Sequence, residues 1–131
     1  MARFSVIAAL LASGVLAACQ GDETISSMVT PEEVFALTEF DGAAPPASAT
    51  LSFPASGQVA GSGPCNRFSA TQAAPLPWVE IGPIVATKRA CAALSFESAF
   101  FAAITQATLI ERTGNLIILT GGGPDLVFRL R

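Results

Sequence analysis

Apolar and polar residues alternate along several short segments of the chain, a pattern typical of strands that bury one face. The segment "VFALTEF" at 34–40 alternates in this way. The final segment "DLVFRL" places Leu126, Phe128 and Leu130 on one predicted inner face and Arg129 outside. Between these two segments, further strands are predicted at residues 50–53, 58–62, 65–70, 78–82, 84–88, 108–113 and 116–120.

The hydrophobic period changes at residues 95–107, "SFESAFFAAITQA". Apolar residues there recur at steps of three and four, which predicts an amphipathic helix with a core-facing stripe. Ser95 is the predicted N-cap, and Glu97 lies in the first turn, where the helix dipole favours an acid. Many short strands with one helix predict an α+β domain with a mainly antiparallel sheet. The stripe consists of Phe96, Phe100, Ala103, Ile104 and Ala107.

The first residues, "MARFSVIAALLASGVLAACQ", begin with a basic residue and continue as a short apolar run. Residues 16–19, Leu-Ala-Ala-Cys, resemble the lipobox of bacterial lipoproteins, in which the signal peptide is removed and the cysteine is lipidated. We therefore expect a signal peptide at 1–18 and a lipid anchor, including an amide-linked chain such as palmitate, on Cys19. The alternative is an ordinary cleaved signal peptide. Gln20 favours the outer membrane, with the domain facing the periplasm, by resemblance to enterobacterial sorting.

The rest of the chain divides into a lipidated N-terminus and tether at 19–32 and one folded domain at 33–131. Residues 20–64 contain acids and no base, which favours a solvated tether. A domain of this size has a marginal core, so a covalent cross-link would matter to its stability. The formal net charge is −3, and no basic block indicates nucleic-acid binding. We expect a monomer held to the membrane by its anchor.

The chain has no histidine and no tyrosine, and Lys88 is its single lysine. Triads and dyads that need an imidazole base are thereby excluded, and so are the imidazole ligands of zinc and copper. Thr87 and Lys88 can be drawn as a nucleophile and a base, but neighbours on a strand point to opposite faces. We therefore expect no enzymatic activity, no metal and no cofactor.

The chain contains three cysteines, and the compartment that the protein enters decides whether two of them can form a disulfide. If Cys19 carries lipid, Cys65 and Cys91 remain as a pair in an oxidising compartment. They either form a disulfide or remain reduced and pack as small apolar side chains. A disulfide would bring Arg67 and Arg89 together as a basic patch, with Glu97 or Glu80 as neutralising neighbours.

Two short motifs surround these cysteines: "GPCNRF" at 63–68 and "TKRAC" at 87–91. Followed by a helix and a C-terminal hairpin, they resemble the META domain of HslJ-type heat-shock lipoproteins. That family shows Gly-Cys-Asn before an aromatic residue, then Thr-x-x-Ala-Cys. The resemblance spans about Val34 to Leu130. Three positions depart from the family pattern: Pro64 replaces a glycine, Arg89 a methionine and Phe35 a tryptophan.

The resemblance implies a strongly bent antiparallel sheet wrapped against one helix, without catalytic residues. It also implies an envelope protein associated with stress or drug tolerance, whose domain is a structural or binding module for an unidentified envelope protein. The alternative is a periplasmic enzyme inhibitor or small-ligand carrier that uses the loops at 56–64 and 121–125. The candidate binding surface flanks the two cysteines and consists of Asn66, Arg67, Thr87, Lys88 and Arg89.

Overall fold

The computed structural model describes residues 21–131. The predicted signal peptide and Cys19 lie outside these described residues. The described chain forms nine strands, one α-helix and a short 3-10 helix at Ile25–Met28. In chain order, the elements are β1 Val34–Phe40, β2 Thr50–Ser52, β3 Gln58–Ser62, β4 Arg67–Ala73, β5 Glu80–Ile81, β6 Val85–Ala86, α1 Leu94–Gln106, β7 Leu109–Thr113, β8 Leu116–Thr120 and β9 Leu126–Leu130.

All strand pairs in the described chain are antiparallel and follow the order β5-β4-β3-β2-β1-β9-β8-β7, with β6 also pairing with β4. Hairpins connect the first strands in sequence, and β7, β8 and β9 form a second meander. The last strand returns to lie beside the first, so β1–β9 pairing joins the two meanders. The predicted antiparallel sheet is confirmed, although the domain is mostly β, with α1 packed against the sheet.

The sheet is strongly curled. Its register shifts between Leu37 and Glu39 where β1 pairs with β9, and such a bulge increases strand twist and bend. The curl brings the segment before β5 against the edge strand β7. There Trp78 and Leu109 form an isolated bridge, and the backbone N–H of Val79 donates to the Thr108 carbonyl over 3.0 Å. The strongly bent sheet implied by the family resemblance is therefore present.

The inside of the curl is filled by side chains. Four phenylalanines that are at most 2% exposed contribute from β1, the position directly after β2, α1 and β9. Phe100 on α1 lies 5.9 Å from Phe68 and 6.2 Å from Phe128, measured between ring centroids, so the helix packs against both meanders. The predicted helix stripe is thereby confirmed as core. The four phenylalanines are Phe35, Phe53, Phe100 and Phe128.

The ends of several elements differ from the predictions. The helix begins at Leu94, and Ala93 occupies the N-cap position without a side-chain cap, so the prediction of Ser95 as N-cap is wrong. The strands predicted at 78–82 and 84–88 are only two residues long, in β5 and β6. Pro77 and Pro83 lie near their ends, and proline has no N–H to donate to the hydrogen bonds between strands. The strand predicted at 65–70 instead runs from Arg67 to Ala73, since the residues before it form a turn.

Residues 21–32, which we assigned to a solvated tether, pack against the sheet. Ile25 is 1% exposed and belongs to the core. Arg112 on β7 donates to the carbonyl oxygen of Met28 over 3.0 Å and pairs with both carboxylate oxygens of Glu33 over 2.6 and 2.8 Å. The folded part of the chain therefore begins before residue 33, because an apolar side chain and a bidentate ion pair hold the preceding segment.

The Glu33–Arg112 pair predicts an acid-sensitive contribution to stability. Two hydrogen bonds from the Arg112 guanidinium, together with one from the Thr30 N–H, lower the pKa of Glu33 from 4.5 to about 2. Because the folded pKa is depressed, the stabilisation is present above about pH 4.5 and is lost as pH falls from 4.5 towards 2. The side chains are partly exposed, so we expect about 1 kcal/mol.

The measurement is the free energy of unfolding in urea at several pH values. Glu33→Gln should lower stability at pH 7 and flatten the loss between pH 4.5 and 2. Glu39→Gln, at an exposed position on β1, is the matched control. Parallel pH curves for wild type and Glu33→Gln would contradict this assignment.

Candidate functional site

A disulfide joins Cys65 and Cys91, whose Cα atoms lie 5.6 Å apart and which are separated by 26 residues. The bond connects the turn between β3 and β4 to the segment that leads into α1. The disulfide interpretation of this pair is confirmed, and the alternative of two reduced cysteines is wrong. The two sequence motifs that carry the family resemblance are thus covalently linked.

Beneath the disulfide, the carboxyl group of Glu97 is almost completely buried, at 2% exposure. One oxygen accepts from the backbone N–H groups of Cys65 and Asn66 over 2.7 and 2.8 Å, and the other accepts from the Asn66 amide over 2.5 Å. Side chains in the first helical turn point back towards the N-terminus, which aims Glu97 at this turn. Gly63 is required here, because a Cβ would lie 2.5 Å from the Glu97 oxygen.

Asn66 connects the turn to the segment that follows β6. Its amide nitrogen donates to the Arg89 carbonyl over 3.0 Å, and its oxygen accepts from the Arg89 N–H over 2.6 Å and from the Thr87 hydroxyl over 2.9 Å. Together with Glu97, these partners occupy both donors and both acceptor positions of the amide. Asn66 is also 6% exposed. Asn66 therefore contributes a buried, fully hydrogen-bonded side chain to the lining of the candidate surface, and it positions Thr87 and Arg89.

Three positively charged side chains lie next to the hydrogen-bond network of Glu97 and Asn66. Arg67, Lys88 and Arg89 are all exposed. One groove is lined by Cys65, Arg67, Thr87 and Arg89, so the predicted closeness of the two arginines is confirmed. Within residues 21–131, the single ion pair joins Arg112 and Glu33, so none of the three cations is paired there.

The acids that we considered as neutralising neighbours lie elsewhere or are engaged. Glu97 turns its oxygens to the three donors beneath the disulfide. Glu80 pairs with Ala73, at the opposite end of β4 from Arg67. The positive charge at the disulfide end of the domain therefore remains available to an anionic partner.

A second groove continues from the patch to the start of the helix. Lys88 and Arg89 line one side, and Leu94, Ser98 and Phe101 line the other. Leu94 is 41% exposed, so an apolar contact point lies next to the cations. The arrangement suits a ligand that combines negative charge with an apolar side chain.

The described residues offer little for metal chemistry or membrane spanning. No three histidine, cysteine, aspartate or glutamate side chains in 21–131 are grouped so as to hold a metal ion. In the same part of the chain, no helix has the length and apolar character needed to cross a bilayer. The Thr87 hydroxyl donates to Asn66 and accepts from the Arg67 N–H over 3.2 Å, so it is engaged in the framework.

The Glu97 network predicts a large effect of one substitution. Glu97→Ala leaves three donors in and around a buried site without their acceptor, and we expect a loss of about 2–4 kcal/mol in the free energy of unfolding. Urea denaturation measures the loss. Glu111→Ala, at an exposed position on β7, is the control and should change stability by about 0.5 kcal/mol or less. Equal effects of the two substitutions would disprove the role of Glu97.

The disulfide predicts a redox-dependent stability. Closing a loop of this length contributes about 3–4 kcal/mol in the chain-entropy treatment. The double variant Cys65→Ser/Cys91→Ser should lose this amount in urea denaturation, and wild type in reducing agent should match it. A reductant effect of the same size on the double variant would contradict this explanation, because that variant has no bond to reduce.

Comparisons with known proteins identify one matching family and several solved structures with a similar fold. The profile of the META domain matches residues 27–131. A protein from Burkholderia xenovorans, solved by NMR, has a TM-score of 0.62 at 21% identity and covers 82% of this chain and 86% of its own. Another NMR structure has a TM-score of 0.58 at 22% identity, over 79% and 96% of the two chains.

A DUF4847 family protein from Bacteroides vulgatus has a TM-score of 0.51 at 19% identity, covering 62% of this chain and 57% of that one. At these identities, the three structures support the fold alone. No curated protein sequence matches this chain. The family profile, in contrast, covers most of the sequence and both cysteine motifs, and the chain belongs to the META domain family.

Proposed function

We propose that this chain is an envelope lipoprotein whose META domain is a non-enzymatic binding module. In this proposal, the surface around Cys65–Cys91 binds an anionic, partly apolar segment of another envelope protein. The observation that carries the proposal is the display of three exposed cations, none paired within the described chain, on a fixed framework in an acidic protein.

The framework supports binding because it fixes the cations in advance. The disulfide and the hydrogen bonds of Asn66 hold the backbone at Arg67 and Arg89, so little backbone entropy is lost when a partner binds. Guanidinium groups bind carboxylates with two parallel hydrogen bonds, and Arg67 and Arg89 share one groove. Exposed Leu94 beside Lys88 and Arg89 adds an apolar contact.

The same contacts favour binding over catalysis. The chain has no imidazole, and the two hydroxyls that line the groove are engaged: Thr87 donates to Asn66 and Ser98 donates to the Leu94 carbonyl. Lys88 lacks a hydrogen-bonded nucleophile beside it in the described chain. A site without an activated nucleophile is better suited to recognition than to covalent catalysis.

The alternative functions have less support from the contacts. A small-ligand carrier of this fold would hold its ligand within the curl, but four phenylalanines and neighbouring aliphatic side chains fill that space. For an inhibitor that inserts a loop, residues 56–64 were one candidate, yet most of this segment is strand β3. The other candidate loop, 121–125, remains a turn between β8 and β9, and it lacks the cluster of cations that the surface beside the disulfide carries.

Residues before the domain support the location of the proposed function. The lipobox at 16–19 would anchor the chain on Cys19, and Gln20 favours the outer membrane with the domain facing the periplasm. A disulfide is the expected state of paired cysteines in that oxidising compartment. Within the envelope, the module would serve stress or drug tolerance by holding its partner.

The binding proposal is tested with Arg67→Ala/Lys88→Ala/Arg89→Ala and a matched variant, Arg129→Ala/Arg131→Ala, which removes two exposed arginines outside the patch. The probe is a fluorescent glutamate-rich peptide that contains one leucine, and anisotropy measures binding. We expect salt-sensitive binding to wild type and to the matched variant, with a loss of tenfold or more in the triple variant. Equal binding by all three proteins would refute the proposed surface.

The cellular test uses a strain that lacks the gene and is exposed to envelope stresses. Wild type and the matched variant should restore growth, and the triple variant should fail although it folds and is exported. Full rescue by the triple variant would show that the three cations are not needed for the cellular function.

A further inference from the structure

We propose that residues 22–28, here called the N-terminal clamp, hold the domain directly on the bilayer that carries its anchor, with Trp78 in the lipid interface and the disulfide surface facing away. The inference rests on the proposed lipidation of Cys19 and adds an orientation and a lipid contact to it.

The clamp is fixed to one end of the sheet. A carboxylate oxygen of Asp22 accepts from the Ser56 hydroxyl over 2.6 Å, and Ile25 inserts into the core. Gln72, which is 2% exposed, donates its amide protons to the hydroxyls of Thr24 and Ser26 over 3.0 and 2.8 Å. These contacts leave the clamp little freedom to move away from the sheet.

The length of chain between the anchor and the clamp is short. Only Gln20 and Gly21 lie between Cys19 and Asp22. Fully extended, the three residue steps from Cys19 to Asp22 span about 10 Å. With Cys19 held at the membrane surface, Asp22 stays within that distance of it, which is comparable to the thickness of the lipid headgroup region. The clamp end of the sheet is therefore the end that faces the membrane.

A tryptophan lies at this same end. The backbone N–H of Leu76 donates to the carbonyl of Glu23 in the clamp over 2.8 Å, and Trp78 follows two residues later. Trp78 is the single tryptophan of the chain and is 57% exposed. Indole rings favour the boundary between headgroups and acyl chains, because they combine a large apolar surface with one N–H donor. Trp78 thus has the position and chemistry of an interfacial contact.

The basic surface lies at the other end of the same strands. Gln72 lies near one end of β4 and Arg67 begins the other, five residues away. At about 3.3 Å per residue, the two ends are separated by roughly 17 Å. Placing the clamp on the membrane therefore points Arg67 and the disulfide into the compartment, where a partner can reach them.

Charge at the clamp end selects the kind of lipid. Asp22 and Glu23 are exposed there, and the Ser56 hydroxyl keeps the pKa of Asp22 below its ordinary value. Glu80, two residues after Trp78, adds a third exposed acid. Acidic side chains are repelled by anionic headgroups. The surface that fits this end is a zwitterionic bilayer.

Trp78 itself is the reporter in the test, since the chain has no tyrosine and no other tryptophan. The full-length lipidated protein is placed in phosphatidylcholine vesicles with either ordinary or brominated acyl chains. We expect emission shifted to the blue and quenched by the brominated lipid. Emission at the wavelength of a water-exposed indole, without quenching, would overturn the inference.

Two variants sharpen the measurement. Trp78→Phe/Leu94→Trp moves the reporter to the exposed first residue of α1, beside the disulfide, and its emission should remain unquenched. A flexible insertion of about 12 Gly and Ser residues after Gln20 adds roughly 20 Å of reach, so quenching of Trp78 should fall. Quenching of the Leu94→Trp reporter as strong as that of Trp78, or quenching unchanged by the insertion, would contradict the clamped orientation.

Mass spectrometry of the same protein separates this inference from the proposed function. An unmodified Cys19 would overturn the lipoprotein proposal and the orientation with it. A lipidated Cys19 together with water-like Trp78 emission would overturn the orientation alone. Loss of peptide binding in the triple-alanine variant would be unaffected by either result.

Discussion

The domain depends most directly on one buried carboxyl group, that of Glu97. It accepts hydrogen bonds from two backbone N–H groups and one side-chain amide of the turn between β3 and β4, and so ties α1 to that turn. Asn66 extends the connection to the backbone of Arg89. The Cys65–Cys91 disulfide adds a covalent bond between the same turn and the segment that leads into α1. Because α1 also buries Phe100 against both meanders, the network fixes the register between the helix and the curled sheet.

This arrangement gives the two ends of the sheet different chemistry. At one end, the disulfide framework displays Arg67 and Arg89 above a satisfied polar interior. At the other end, an acidic and hydroxyl-rich segment packs beside exposed Trp78. Polar groups are concentrated at the ends because the inside of the curl is filled with aromatic and aliphatic side chains. The two proposals, a partner at the disulfide end and lipid at the other end, are based on that division.

Much of this architecture was predictable from local patterns. The alternation at 34–40 and 125–130 and the helical period at 95–107 mark elements whose buried faces are long enough to leave a signal. The two-residue strands beside Pro77 and Pro83 are too short for such a pattern. The packing of 22–28 escaped prediction because Ile25 is its single buried residue, and one buried side chain in a mainly polar segment leaves no periodic pattern.

The sequence by itself determined the strand and helix types, the absence of an imidazole and the motifs of the META family, because each depends on residue identity and local spacing. Only the tertiary structure decided that Cys65 pairs with Cys91, that Asn66 is a buried connector and that Glu97 faces backbone donors. Those contacts join residues more than twenty positions apart. Their geometry is set by the curl of the sheet and the packing of α1, which no local pattern encodes.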